Sequence, residues 1–458
     1  MLKRLISLLF VAILPQLGFA QDGLPDSHTS DSGLPEWLEI SGAFRTRYET
    51  IDDQLRVGFE GSAQGLFNRA LLKGVARFDS FDATLELVDS RHLGAPDDTA
   101  LNTGIVNALD ILQANVVFRG TSVFSGGDEG SLTLGRQTLD IGSRRLVGRN
   151  GFRNTINNYT GLRGDWQNDS GDKLRAFFFF PVRRLPRDAA GLQGNDVEAD
   201  EERTQVKFFG VHGTSTSLFD GWSTEAYAFG LDEDDGRELG TRNRQLWTLG
   251  TRWLKKPSSG KFNYEVEAIW QTGESRASTS GADTTDLDHD AQFVHAHAGY
   301  QWDHDLKPRL ELIFDYGSGD KDPGDGENNR FDTLFGPRLE YGITGIFGPF
   351  QRSNLISPGL RLHLRPKDEL GIMLHSRLNY LASNQDGWVP SGHVDPSGNS
   401  GDYIGHLTEL RFRYEPKSYV RWDAGISYLS LGSFVDEAPN NSPQRDSTYA
   451  YFGVTFKF

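Results

Sequence analysis

The 458-residue sequence contains no cysteine and only two methionines. Missing thiols exclude a disulfide framework and thiol catalysis. Long apolar runs are almost as scarce. The one example, residues 5–19, follows Lys3 and Arg4 and runs into Gly18-Phe19-Ala20. It is short for a membrane span. Its basic start and small-residue end predict a secretory signal peptide, residues 1–20, cut after Ala20. Residues 21–36 then read as a short N-terminal periplasmic segment. At a mean hydropathy of −0.49 the chain is too polar for membrane-spanning helices. A cationic excess is lacking too: the formal net charge is −16, which argues against a nucleic-acid partner. No Gly-x-Ser-x-Gly or zinc motif is present. The chain is therefore not read as an enzyme, and no catalytic residue, metal or cofactor is expected.

What the sequence does have is 52 glycines, 12% aromatics and a period of two. Segments of roughly ten residues alternate from Leu38 to the end, the length a membrane-crossing strand needs. In KFNYEVEAIWQ (261–271), Phe262, Tyr264, Val266, Ala268 and Trp270 oppose Asn263, Glu265, Glu267 and Gln271. In the closing YAYFGVTFKF (449–458), Ala450, Phe452, Val454, Phe456 and Phe458 oppose Tyr449, Tyr451, Gly453, Thr455 and Lys457. A soluble sandwich would alternate as well, so the connections decide. Short turns, such as those near Asp79-Ser80 and residues 415–418, alternate with long polar loops such as RLPRDAAGLQGNDVEADEER (184–203) and GDKDPGDGENNRFD (319–332). Short periplasmic turns and long outer loops are the habit of transmembrane barrels.

The fold expected is all-β: a transmembrane antiparallel β-barrel of about 18 strands over residues 37–458. It has short periplasmic turns and long extracellular loops, and it lies in the bacterial outer membrane. The even count requires RLEYGITGI (338–346) to belong to the seventh long loop rather than to the wall. The last strand should close on the first, with its phenylalanines facing lipid. A terminal aromatic, Phe458, also resembles the signal that the barrel-assembly machinery reads.

A barrel of this size leaves a water-filled lumen rather than a packed core. Alternation turns Arg45, Arg47, Arg77, Arg163, Arg377, Arg411 and Arg413 inward, with further Arg and Lys. Inward acids, among them Glu265, Glu267, Glu311, Asp315 and Glu409, are fewer. Rings of Arg and Lys favour anions, and guanidinium forks match carboxylates. The competing reading is that such residues form ion-pair ladders that stiffen the wall. His295 and His297 share an inward face, but no clustered carboxylate or Cys is evident beside them, and they read as solvated lumen histidines. SGDKDPGDGENN (318–329) lacks the spacing of a calcium loop and reads as a solvated acidic loop.

Several stretches together resemble the alginate-export outer-membrane porin family: LGRQTLDIGSRRLVG (134–148), YGSGDKDPGDGENNRFDTLFG (316–336), RSNLISPGLRLHLRPKDELGIMLHSRLNYLA (352–382), IGHLTELRFRY (404–414) and the closing FKF. The resemblance spans nearly the whole mature chain. It implies an 18-stranded barrel whose basic constriction passes an anionic polysaccharide, alginate in the namesake. It also implies that Arg136, in Gly135-Arg136-Gln137, lines the lumen or constriction. Alternation puts Arg136 with Leu132 and Leu134, so that placement requires a bulge. In the family's IGxExD-like pattern, Leu407 replaces the first acid here, and Glu409 stands where Asp is commoner. The function expected is a channel for anionic polysaccharide. An uptake porin for small organic anions is the alternative, and a barrel-embedded hydrolase or a barrel plugged by residues 338–348 are further rivals.

Overall fold

The computed structural model describes residues 33–124, 126–235, 240–441 and 445–458; the expected signal peptide lies outside the described residues. It is a closed antiparallel barrel of 18 strands, running from Leu38–Asp52 to Ser447–Lys457. Two further strands of two residues each, Glu201–Glu202 and Glu327–Asn328, belong to outer loops. The first and last wall strands pair from Ala43↔Lys457 to Asp52↔Thr448. Closure leaves no strand edge unpaired, the condition for a sheet to cross lipid.

The period of two places side chains as the pattern predicts. On the first strand Arg45, Arg47, Glu49 and Ile51 are buried inside, while Phe44 and Tyr48 stand exposed on the outer face. Phe452 and Phe456 do the same on the last strand. The periplasmic rim carries aromatic clusters, Trp37 with Phe78 and Phe81, and Phe262 with Tyr300 and Trp302. Phe458 completes this rim. Its backbone exchanges hydrogen bonds with Gly42 at 2.9 and 3.1 Å. A Cβ on Gly42 would collide with the Phe458 ring, so glycine is needed for this close approach.

Periplasmic turns are tight; residues 368–369 and 418–419 join strands whose pairing resumes at Lys367↔Leu370 and Lys417↔Val420. The outer loops are long. Counting them from the N-terminus, loop 3 is residues 138–158 and loop 7 is residues 318–354. Residues 338–346 lie in loop 7 and contribute a single 3-10 turn, Leu339–Tyr341, with no wall strand.

Loops 3 and 7 fold into the lumen. They meet at an isolated parallel bridge, Val147↔Phe335, with the Phe335 N–H donating to the Leu146 carbonyl at 2.9 Å. A Cβ on Gly336 would overlap the Arg145 carbonyl, so the two backbones approach as closely as glycine permits. Phe335 packs edge-on to Tyr159 at 5.5 Å and Phe208 at 5.0 Å. Phe177, Phe179 and Phe229 extend this seat. Ile343, Ile346, Phe347 and Phe350 of loop 7 join the same buried cluster. The expectation of a lumen left to water is therefore corrected in the outer half, where inward apolar side chains hold the loops. Burial of one such phenylalanine contributes about 1.5–3 kcal/mol.

Lipid-facing positions should respond to depth. Phe452→Arg, near mid-strand, is expected to cost about 2–4 kcal/mol on unfolding from lipid vesicles, and Phe456→Arg, near the periplasmic rim, about 0–1 kcal/mol. Equal costs would show that the last strand does not cross the bilayer at this register.

Candidate functional site: the lumen and its two infolded loops

The inner wall is built of ion pairs. Arg252 bridges Glu225 at 2.8 Å and Glu265 at 2.9 Å. Arg163 and Arg175 share Asp165 at 2.6 and 2.5 Å. Arg377 binds Asp315 at 2.5 Å and donates through Nε to His375 at 2.9 Å. Arg411 pairs with Glu409, and Arg413 and Arg421 share Asp423 at 2.9 and 2.8 Å. At the periplasmic end Arg77 pairs with Glu39 and Asp82. The geometry gives these arginines the partners of a stiffening ladder. The basic excess counted along the wall is in large part cancelled.

Other wall groups hold the loops. Arg45 donates to the carbonyls of Gly151 at 2.7 Å and Arg153 at 3.2 Å. Arg69 donates to the same two carbonyls, each at 3.1 Å. Arg47 donates to the Phe152 carbonyl at 2.7 Å and lies 3.9 Å from the centre of its ring. Loop 7 is held by acids: Glu409 accepts from the Ile343 N–H at 3.1 Å, and Glu49 from the Ile346 N–H at 3.0 Å. Arg45, Arg47, Arg411 and Arg413 come together around Gly151 and Phe152. Arg77, Arg163 and Arg377 stand apart from that group.

Arg136 does not face the lumen. Its strand keeps an unbroken register with both neighbours, Ala114↔Arg136 on one side and Arg136↔Thr160 on the other. No bulge turns it from the face of Leu132 and Leu134, both exposed. It pairs with Asp110 at 3.0 Å and with Glu202 of loop 4 at 2.6 Å, pinning that loop to the barrel. Alternation outweighs the placement that the resemblance implied.

Arg145, in loop 3, reaches across the lumen. Its Nη1 lies 2.5 Å from both Glu265 and Glu267 of the wall, and its Nε 3.0 Å from Glu340 of loop 7. Burial opposes its charge, but Glu265, Glu340 and Glu267 raise its pKa well above the usual range. Arg145 and Arg352 hold the Glu340 carboxyl down at about 2 against the opposing effect of burial.

The wall-based reading missed a second set of loop arginines. Arg153 of loop 3, Arg184 of loop 4 and Arg338 of loop 7 are half-buried. Arg153 binds the Thr155 carbonyl and the Asn157 side chain; Arg184 donates to the Thr103 carbonyl and to Asn157, both at 2.8 Å; Arg338 donates to Gln351 at 3.1 Å. Among the described residues no carboxylate oxygen lies within 4.0 Å of these three guanidiniums. Burial together with Arg184, Arg338 and Arg69 holds Arg153 well below the usual arginine pKa. Like charges are thus gathered at one place with neutral hydrogen-bond partners, and Asp200, beyond ion-pair distance, offsets part of the Arg184 charge. No spacing rule could have shown this, because the three residues lie on three different loops.

Two Ser–His pairs bear on the hydrolase reading. Ser391 donates to the Trp388 carbonyl at 2.9 Å and meets His393 Nδ1 at 2.9 Å, with both residues buried. Ser376 and His406 meet at 2.8 Å, on the face of exposed Leu374 and Leu378. Among the described residues no carboxylate hydrogen-bonds either histidine, so the third, orienting member of a nucleophilic triad is lacking at both.

Arg145→Leu would leave Glu265, Glu267 and Glu340 without their shared guanidinium. Breaking a buried ionic cluster costs about 3–5 kcal/mol, so single-channel recordings should show larger and noisier conductance as the two loops loosen. Unchanged conductance would mean that the apolar seat alone holds them.

The comparisons agree with this architecture. The OccAB3 structure of Acinetobacter baumannii is similar at 14% identity and a TM-score of 0.59, covering 92% of this chain and 99% of that one. OpdQ of Pseudomonas aeruginosa is similar at 12% identity and 0.57, covering 92% and 97%. OccK2 (OpdF) of Pseudomonas aeruginosa, solved in complex with glucuronate, is similar at 14% identity and 0.57, covering 92% and 98%. At these identities the likeness is one of fold. No curated protein sequence matches this chain. The family model for alginate export matches residues 36–448, nearly the whole described barrel. The chain belongs to the alginate export family and is a porin-like β-barrel of the bacterial outer membrane.

Proposed function

We propose that this barrel is a passive channel favouring carboxylate-bearing anions, with an alginate-like polyuronate as its cargo. One observation carries the reading: Arg184 and Arg338 act on Arg153, and among the described residues no carboxylate lies within ion-pair distance of the three. A fixed positive charge that the protein does not neutralise attracts mobile anions. Guanidiniums pair with carboxylates in a forked geometry, and a polyuronate presents one carboxylate per sugar. Family membership and the glucuronate held by the fold neighbour OccK2 support the same cargo chemistry. Arg45 and Arg69 serve by holding the backbone that presents Arg153. Arg47, Arg411 and Arg413 line a small cavity beside Phe152. Their acid partners reduce what each contributes to the field.

A second reading, uptake of small organic anions, is favoured by the two loops filling the outer half of the lumen. A narrow path suits a single small carboxylate, and a passive pore has no built-in direction. Lipid on the outer face and the assembly machinery at Phe458 are the partners proposed alongside either cargo.

Reversal potentials in planar bilayers under a salt gradient test the charge assignment. The wild-type channel should prefer anions, and Arg153→Gln, Arg184→Gln and Arg338→Gln combined should abolish most of that preference. Arg411→Gln with Arg413→Gln should shift it less. An unchanged reversal potential in the triple variant would remove the loop cluster as the source of selectivity.

A further inference from the structure

We infer that Glu265, His295 and His297 form a binding site on the lumen wall for a first-row divalent cation of the zinc class. The three residues come from two adjacent strands, Lys261–Ser275 and Leu287–Gln301, whose register pairs Glu265 with His297. His295 lies two residues from His297 and so shares its inward face. One donor atom from each residue lies within 4.8 Å of the others.

The hydrogen bonds around the site leave the three donor atoms turned toward one another. His295 Nδ1 lies 2.7 Å from Asp315 Oδ1. A carboxylate can only accept, so Nδ1 carries the proton and Nε2 presents its lone pair. That Nε2 faces His297 Nδ1 at 3.4 Å. For Glu265, Oε1 is bound by Arg145 at 2.5 Å and Arg252 at 2.9 Å. Oε2 is the oxygen that faces His297 Nδ1, at 3.9 Å.

The spacing suits a tetrahedral ion. Zinc–nitrogen bonds of about 2.0–2.1 Å put neighbouring ligand atoms about 3.3–3.4 Å apart, the separation of the two imidazole nitrogens. For an N–H···N hydrogen bond the same 3.4 Å is long. A rotation of the Glu265 carboxylate brings Oε2 toward the third vertex, and lumen water beside the half-buried His297 supplies the fourth. Metal-bound imidazoles characteristically pass their second nitrogen to a carboxylate. Asp315 already holds that place, and Tyr341 Oη donates to the same Asp315 oxygen at 3.0 Å. The ion would therefore sit where loop 7 meets the wall. The site is independent of the cargo.

The test is a Co2+ titration of the refolded, tag-free barrel in detergent, followed by visible absorption and by displacement with Zn2+. One Co2+ per barrel with a four-coordinate spectrum is expected, and Zn2+ should remove it. His295→Gln with His297→Gln, and Glu265→Gln separately, should each weaken binding at least tenfold. His304→Gln, in an exposed periplasmic turn, should leave it unchanged. Heat-modifiable gel migration verifies that each variant is a closed barrel. His297→Gln alone, at the most accessible ligand, serves if the double variant fails to fold. Absence of saturable Co2+ binding to the wild-type barrel overturns the proposal, as does equal binding by folded His297→Gln.

Discussion

The interior of this barrel depends on one guanidinium. Arg145 enters from loop 3 and is shared by Glu265 and Glu267 of the wall and Glu340 of loop 7. Each carboxylate alone would be costly to bury. Wall residue Arg252 answers Glu265, and the cation common to all three comes from the infolded loop. Two residues along loop 3, Val147 bridges Phe335, whose ring packs on Tyr159 and Phe208. Wall, loop 3 and loop 7 are consequently one cooperative unit, and loosening one should loosen the others.

That unit separates two roles of arginine that look identical along the chain. Wall arginines answer specific acids, Arg252 and Arg377 across one or two strands and Arg411 along its own strand. They set the stiffness of the scaffold and the positions of the loops. Arg153, Arg184 and Arg338 answer carbonyls and side-chain amides. In the proposed channel their charge is what a passing anion meets. On this account, selectivity comes from loops that the scaffold positions, with the summed charge of the wall secondary.

The wall was legible in the sequence because lipid selects one face and the period of two reports it directly. Parity alone placed residues 338–346 in loop 7. The infolding was harder to see, although one signal existed: KLRAFFFFPVR is apolar on both faces over Phe177 to Phe180. A strand that meets lipid outside and water inside has no use for a second apolar face, so that run marks a wall packed on both sides. Arg136 was misplaced because a likeness of motif was set above alternation, and the continuous register of its strand decided the matter. Glu265 beside His297 could be found only after register paired the two strands. Contacts between loops carry no period at all, so the Arg153 cluster appears in three dimensions alone.

The central claim is that fixed, unneutralised positive charge inside the lumen engages carboxylated sugars. Single-channel current through the wild-type barrel, with oligouronate titrated in beside a neutral oligosaccharide of equal length, tests it most directly. The account predicts concentration-dependent interruptions with oligouronate that weaken as salt rises and are absent with the neutral sugar. Equal interruption by both sugars, or by neither, would contradict it.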